Sequence, residues 1–321
     1  MQVVRILGRH RRGSCALIRQ GAIVCRGVGK VQQTWTGRGS PRVRVPACAG
    51  STMVAPTLGW RMRGLVWPLS FTVGFSATAF AGATVLQPML KRWESSRDST
   101  LREVRQWCQR MNIPQSIVAL APLLAVNFCV FGAWQLMPRS VALRHWFTHV
   151  PAQRRSLPML LACFSHQGAV HFAFNMLALY SFGSTCLNTL GFDGPTFTAL
   201  FLSAGVISSL GSSAVAALTK RNYFRPSLGA SGGVIALASL VACVYPNAQF
   251  SLIFLPFVSF SASKMMLALV SVDVAGLVLG WRMFDHAAHL TGAALGFWYV
   301  YLGGHLLQRD FQMLVYKYSK V

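Results

Sequence analysis

Long uncharged apolar runs constrain this chain more than any other feature. Gly64–Leu90 carries no charge and is long enough to cross a hydrocarbon core about 30 Å thick as a helix. Comparable stretches recur at about Ile113–Met137, Gly168–Leu190, Pro195–Leu218, Ser231–Tyr245, Met265–Trp281 and His286–Leu307. In lipid only helices and closed barrels pair every backbone group, and apolar runs of this length select helices. The expectation is an all-α polytopic membrane protein with a hydrophobic share of 53% and a charged share of 12%. The chain divides into residues 1–60, a first span at 64–90, a charged linker at 91–112, a six-helix core at 113–308 and a short basic tail at 309–321.

The formal net charge is +23, which in a soluble protein would point to nucleic acid. Here the excess sits at the N-terminus and in short loops, and the aromatic residues lie inside apolar spans. No nucleic-acid motif accompanies them, so the expected partner is the lipid bilayer and not a nucleic acid. The first acidic residue is Glu94; before it come Arg5, Arg9, Arg11, Arg12, Arg19 and Arg26. Arg-rich and acid-free is the pattern of an organellar presequence. A secretory signal fits less well, because Arg19 interrupts the apolar run Ala16–Cys25. Lys and Arg divide almost evenly between the two sets of loops in the body of the chain, so the positive-inside rule leaves orientation undecided there. Arg61 and Arg63, directly before the first span, favour an N-terminus in the mitochondrial matrix. None of the eight cysteines forms a CxxC pair, and free thiols are expected.

A polar or ionisable residue inside a span is costly and is a functional candidate by default. Four places qualify. His171 and Asn175, four apart, share one face of the third span, either as functional donors or as interhelical glue. Ser231 opens the fifth span within Gly229-Ala230-Ser231-Gly232-Gly233. A helix start with unpaired N–H groups suits a nucleophilic serine, and equally an ordinary helix cap. His286 and His289 head the seventh span. Gly292, Ala293 and Gly296 follow His289 on one smooth face, where a helix of small residues such as Gly229–Gly233 packs in backbone contact and brings His289 to Ser231. His286 has no such stripe and sits nearer the aqueous loop. Asp273 lies mid-way along the sixth span; nothing in the sequence connects it to His289, and it reads as a protonated or hydrogen-bonded structural group.

Two other chemistries are set aside. Gly229–Gly233 satisfies the G-x-S-x-G pattern of soluble hydrolases, but that elbow needs a preceding strand and a βα alternation. A metal site from His166, His171, His286 and His289 lacks HExxH and any supporting carboxylate or thiolate spacing. No metal and no cofactor are expected.

Taken together, His166-x4-His171-x3-Asn175, Gly229-Ala230-Ser231-Gly232 and Ala288-His289-x-x-Gly292-x-x-x-Gly296 resemble, in order, the motifs of the rhomboid family of intramembrane serine proteases. The stretches Phe71–Phe75, Phe254-Leu255-Pro256 and Phe284–Leu290 resemble its mitochondrial presenilin-associated subgroup. The resemblance covers roughly residues 65–315. It implies a rhomboid-like six-helix bundle with one extra N-terminal transmembrane helix, in the mitochondrial inner membrane. It implies Ser231 as nucleophile, His289 as general base, and His171, Asn175 and the Gly229 segment as oxyanion or substrate-positioning elements. It implies single-span membrane proteins as substrates, and makes His166 an organiser of the loop before the third span. Two positions depart from the family: Ile235 stands where many members carry a tyrosine that stacks on the histidine, and Thr291 where near relatives carry glycine. The rival readings are a catalytically inactive rhomboid-like protein that binds membrane helices, and a channel or transporter. The first requires loss of the serine or histidine, and both are present. The second predicts polar residues along several spans, whereas here they cluster at one depth.

Overall fold

The computed structural model describes residues 16–18, 22–24, 56–94, 103, 106–107, 110–111, 114–252, 255–304, 306 and 309. It separates into two units, Met1–Thr57 and Leu58–Val321. In the first, β1 (Ala16–Ile18) and β2 (Ala22–Val24) pair antiparallel, Ala16 opposite Val24. Most of residues 1–60, on which the presequence reading falls, most of the linker and the tail beyond Arg309 lie outside the described residues.

The second unit is an all-α polytopic membrane fold. A short helix α1 (Leu58–Arg63) leads into α2 (Val66–Glu94). Then follow α3 (Gln115–Leu136), short α4 (Val141–Trp146) and α5 (Leu157–Leu161), α6 (Ala169–Asn188), α7 (Gly194–Thr219), α8 (Ser231–Val244), α9 (Ala262–Leu279) and α10 (His286–Tyr301). Among the described residues, α1–α2, α3, α7 and α9 are long and apolar enough to cross a membrane. The fourteen residues of α8 rise about 21 Å, less than the roughly 30 Å of a hydrocarbon core. A helix of that length does not span such a core by itself.

Local chemistry sets the helix ends. Asp193 caps α7 by accepting the Thr196 N–H at 2.8 Å, with Pro195 in the first turn. Lys220 and Gly280 end α7 and α9 in the left-handed conformation, at φ 62° and 73°. Helix α7 runs through the centre: α2, α8 and α10 pack on it. The main core joins Leu120, Phe172, Leu179, Phe197, Phe201, Leu237 and Val241 from α3, α6, α7 and α8.

Between α8 and α9, β3 (Gln249–Leu252) and β4 (Leu255–Ser261) form an antiparallel hairpin, with Phe250 opposite Phe260 and Ser251 opposite Ser259. The alternation Phe-Ser against Ser-Phe has the period of two that a strand requires. The Phe250 ring lies 5.2 Å from Phe182 on α6, which ties the hairpin to the core.

Outside the spans, the loop before α5 carries a fully buried histidine. His149 Nε2 lies 2.8 Å from Ser213 Oγ, and that hydroxyl donates to the Ser209 carbonyl at 2.9 Å. His149 therefore donates through Nε2–H and is neutral, with Nδ1 buried and unpartnered. Burial pushes its pKa down to about 4, against a smaller upward pull from Asp285. Between that value and the ordinary 6.5 the unfolded chain binds a proton that the folded chain does not. Stability is thus present above the ordinary value and lost as pH falls through this window, by about 3 kcal/mol in all. Thermal unfolding in detergent should show this acid slope, and His149→Gln, which keeps an N–H donor without a titrating ring, should flatten it.

Candidate active site

Ser231 is the first residue of α8, and the loop ahead of it is fastened at Ser227, Gly229 and Ala230. Ser227 exchanges two backbone hydrogen bonds with His149, at 2.8 and 2.9 Å. Gly229 donates its N–H to the Ala162 carbonyl at 2.9 Å. Its φ of +132° is a conformation that side chains strain against. The Ala230 N–H donates to His166 Nε2 at 3.2 Å. The fully buried His166 thereby satisfies one of the N–H groups that a helix start leaves without an intrahelical partner.

Helix α10 brings the second residue. Asp285 caps it, accepting the Ala288 N–H at 3.2 Å through one carboxylate oxygen and the Ser212 hydroxyl of α7 at 2.7 Å through the other. That bond ties the start of α10 to α7. One turn on, His289 Nε2 lies 2.8 Å from Ser231 Oγ. Small residues make the approach possible. A Cβ added at Gly292 would meet the Gly232 carbonyl oxygen, and one at Gly296 the Ala236 carbonyl oxygen. A Cβ at Gly232 would lie 2.5 Å from the Ser208 Cβ of α7. Thr291 occupies space that Gly211 leaves open on α7, where an added Cβ would fall 2.7 Å from the threonine methyl.

Sequence reasoning left Asp273 unconnected, and the structure joins it to both histidines. Its Oδ1 lies 3.1 Å from His289 Nδ1 and 2.6 Å from His286 Nδ1. A carboxylate only accepts, so both Nδ1 atoms carry the proton. His289 Nε2 then presents a lone pair to the Ser231 hydroxyl, the tautomer a general base needs. His286, beside the loop that carries Trp281 and Phe284, is only 4% exposed, its ring against α9 where Gly276 has no side chain. The spacing of Asp273 and Gly276, i and i+3 on one helix face, was the available sign of this. It says nothing about the partner helix until the two are packed.

His171 stands on the other side of Ser231. A Cβ built on Gly229 would lie 2.9 Å from His171 Cε1 and 3.8 Å from Ser231 Oγ, so ring and hydroxyl flank the same point. His166 packs edge-on to His171 at 5.1 Å. Asn175, mostly buried, donates one amide hydrogen to the His171 carbonyl at 2.9 Å, which leaves a second N–H. No tyrosine follows Ser231 at the fourth position; the half-buried Ile235 is there, and a different aromatic, Phe284, lies 6.1 Å from the His289 ring. The polar turn before α6 is held by α3: Trp134 Nε1 donates to Ser165 Oγ at 2.7 Å and Gln135 Nε2 to the Gln167 carbonyl at 3.1 Å. Side chains of α3 thus satisfy a hydroxyl and a carbonyl of this turn, the kind of protein partner that irregular backbone within a membrane requires. Among the described residues no group of three or more His, Cys, Asp or Glu is arranged to hold a metal ion.

Comparison with known proteins identifies relatives. A family model described as the rhomboid domain matches residues 153–306. The presenilin-associated rhomboid-like protein, mitochondrial, of Homo sapiens is 36% identical over 273 residues, covering 79% of this chain and 70% of the relative. Presenilin-associated rhomboid-like protein A, mitochondrial, of Danio rerio is 34% identical over 320 residues, 89% of this chain and 82% of its own length. Rhomboid protein 1, mitochondrial, of Saccharomyces cerevisiae is 33% identical over 183 residues, 56% of this chain and 52% of that one.

Proposed function

The chain belongs to the rhomboid family, and from that premise we propose that it is an intramembrane serine endopeptidase of the mitochondrial inner membrane. Its substrates are transmembrane segments of single-span proteins. One transmembrane helix precedes a six-helix catalytic core. The observation that carries this reading is the 2.8 Å contact between His289 Nε2 and Ser231 Oγ at the partly buried start of α8.

Serine is a weak nucleophile and needs an adjacent base. His289 takes the Ser231 proton as Oγ attacks the scissile carbonyl, and returns it to the leaving amine when the C–N bond breaks. Water then attacks the acyl-enzyme, with His289 again as base, and frees Ser231. The negative charge on the tetrahedral oxygen develops beside the start of α8, where unpaired N–H groups and the helix dipole favour it. His171 and the second amide hydrogen of Asn175 add donors from α6. The names of the relatives, which carry the word mitochondrial, support the location, and the acid-free N-terminal segment fits a presequence.

A fluorophosphonate probe applied to the protein in liposomes should label Ser231, located by peptide mass spectrometry. Absence of labelling on a protein that cleaves would move the nucleophile elsewhere, and absence of both would leave a helix-binding protein. Removing an oxyanion donor acts mainly in the transition state. His171→Ala and Asn175→Ala should each lower kcat by about 10²–10³-fold, with KM little changed. Loss expressed in KM alone would make these residues substrate contacts.

A further inference from the structure

The family's chemistry needs only a serine and a histidine, so a carboxylate on the far side of the histidine calls for its own account. Asp273 sits mid-way along α9, is 6% exposed, and is the acceptor for two imidazoles on α10. We infer that Asp273 is a positioning residue for His289, which it holds in the Nδ1–H tautomer with Nε2 turned to Ser231, and that His286 anchors the Asp273 carboxylate from the opposite side. The inference rests on the reading of Ser231 and His289 given above.

Three observations carry it. The contacts run without a break from His286 Nδ1 through Asp273 Oδ1 to His289 Nδ1, and from His289 Nε2 to Ser231 Oγ. The His286–Asp273 contact is the shorter, 2.6 Å against 3.1 Å, so the carboxylate is fixed by His286 and offers an already oriented acceptor to His289. Gly276 is where the His286 ring packs, and any side chain there would displace it. The helix face therefore combines the acceptor with the space that its anchor requires.

When His289 takes the Ser231 proton it becomes an imidazolium in a poorly hydrated site, and Asp273 is the negative group in contact with it. The other groups facing His289 are His171 on α6, His286 on α10 itself and Ser231 on α8; Asp285 at the helix start is bonded to the Ser212 hydroxyl of α7, with His149 beyond it. Simple glue between α9 and α10 predicts that losing Asp273 weakens folding and leaves the ionisation seen in catalysis unchanged. Positioning predicts a change in that ionisation.

The test uses the full chain in liposomes with a fluorogenic single-span substrate. Asp273→Asn keeps the shape, but its amide N–H₂ can drive His289 into the wrong tautomer. Its kcat should fall by about 10²-fold or more with KM within a few-fold of wild type. The acid limb of kcat/KM should move to lower pH, because the imidazolium has lost its counter-charge. Asp273→Glu should recover part of the rate, and His286→Ala should keep measurable activity with a smaller loss. If Asp273→Asn is inserted and folded with an unmoved pH limb and near-normal kcat, the inference is overturned. Ser231→Ala separates the two levels: if it retains cleavage, the Ser231/His289 reading fails; if it is inactive while Asp273→Asn is normal, only the positioning role fails.

Discussion

Ser231→Ala leaves no cleavage above background in reconstituted liposomes, while the protein stays inserted and folded; that is the first expected result. Removing Oγ takes away the atom that forms the acyl bond and one end of the 2.8 Å contact with His289. The cavity is small, because Ser231 is only partly buried, so the fold should hold. His289→Ala should be equally inactive, and the double variant no worse than either, because members of one catalytic unit are grossly non-additive. Losses on the order of 10⁴-fold or more are expected for each. The assay is a full-length single-span substrate followed by gel and mass spectrometry. Cleavage by Ser231→Ala within a few-fold of wild type would sink the assignment of the nucleophile.

The second large effect is expected at a residue with no side chain of its own. Gly292→Val puts a branched side chain where the Gly232 carbonyl oxygen of α8 already lies. Backbone does not yield as a side chain tip does, so α10 must shift away from α8. Overpacking of this kind costs about 1–3 kcal/mol. The functional cost is larger, because His289 lies one turn before Gly292 and moves with it. A displacement of about 1 Å can cost on the order of 10²-fold in rate, and activity should fall at least that far. Gly59→Val is the matched control, since an added Cβ there meets nothing within 4 Å. The readouts are turnover and thermal unfolding of both variants in the same detergent. Normal turnover by Gly292→Val would mean that the α8–α10 contact does not set the distance between serine and histidine.

Much of the molecule follows from sequence because lipid removes choices. Apolar runs without charge have to become helices, and ends fall at Asp193, Gly280 and Asp285, residues suited to caps and turns. Ser231 with its flanking glycines, and His289 with Gly292 and Gly296 behind it, were legible for the same reason. Small residues at helical spacing announce a face made for backbone contact, and that contact predicts which two polar groups meet. Other features depend on three-dimensional placement. Asp273 shares no motif with His289, and only the packing of α9 on α10 sets its oxygen between two imidazoles. His286 reads as lying nearer the aqueous loop from its place beside Asp285, and only the packing shows that its ring fills the space at Gly276. His166 caps α8 from a loop 64 positions away. Residues 249–261 pair as a hairpin, because alternation over so few residues becomes decisive only when a partner strand and Phe182 are there to receive it. Sequence by itself determined which runs become apolar helices and which serine and histidine can meet, because both are set by periodicity along one helix. Tertiary structure alone decided what holds that histidine in place, because that depends on the rotation and offset of a third helix, and no local spacing encodes them.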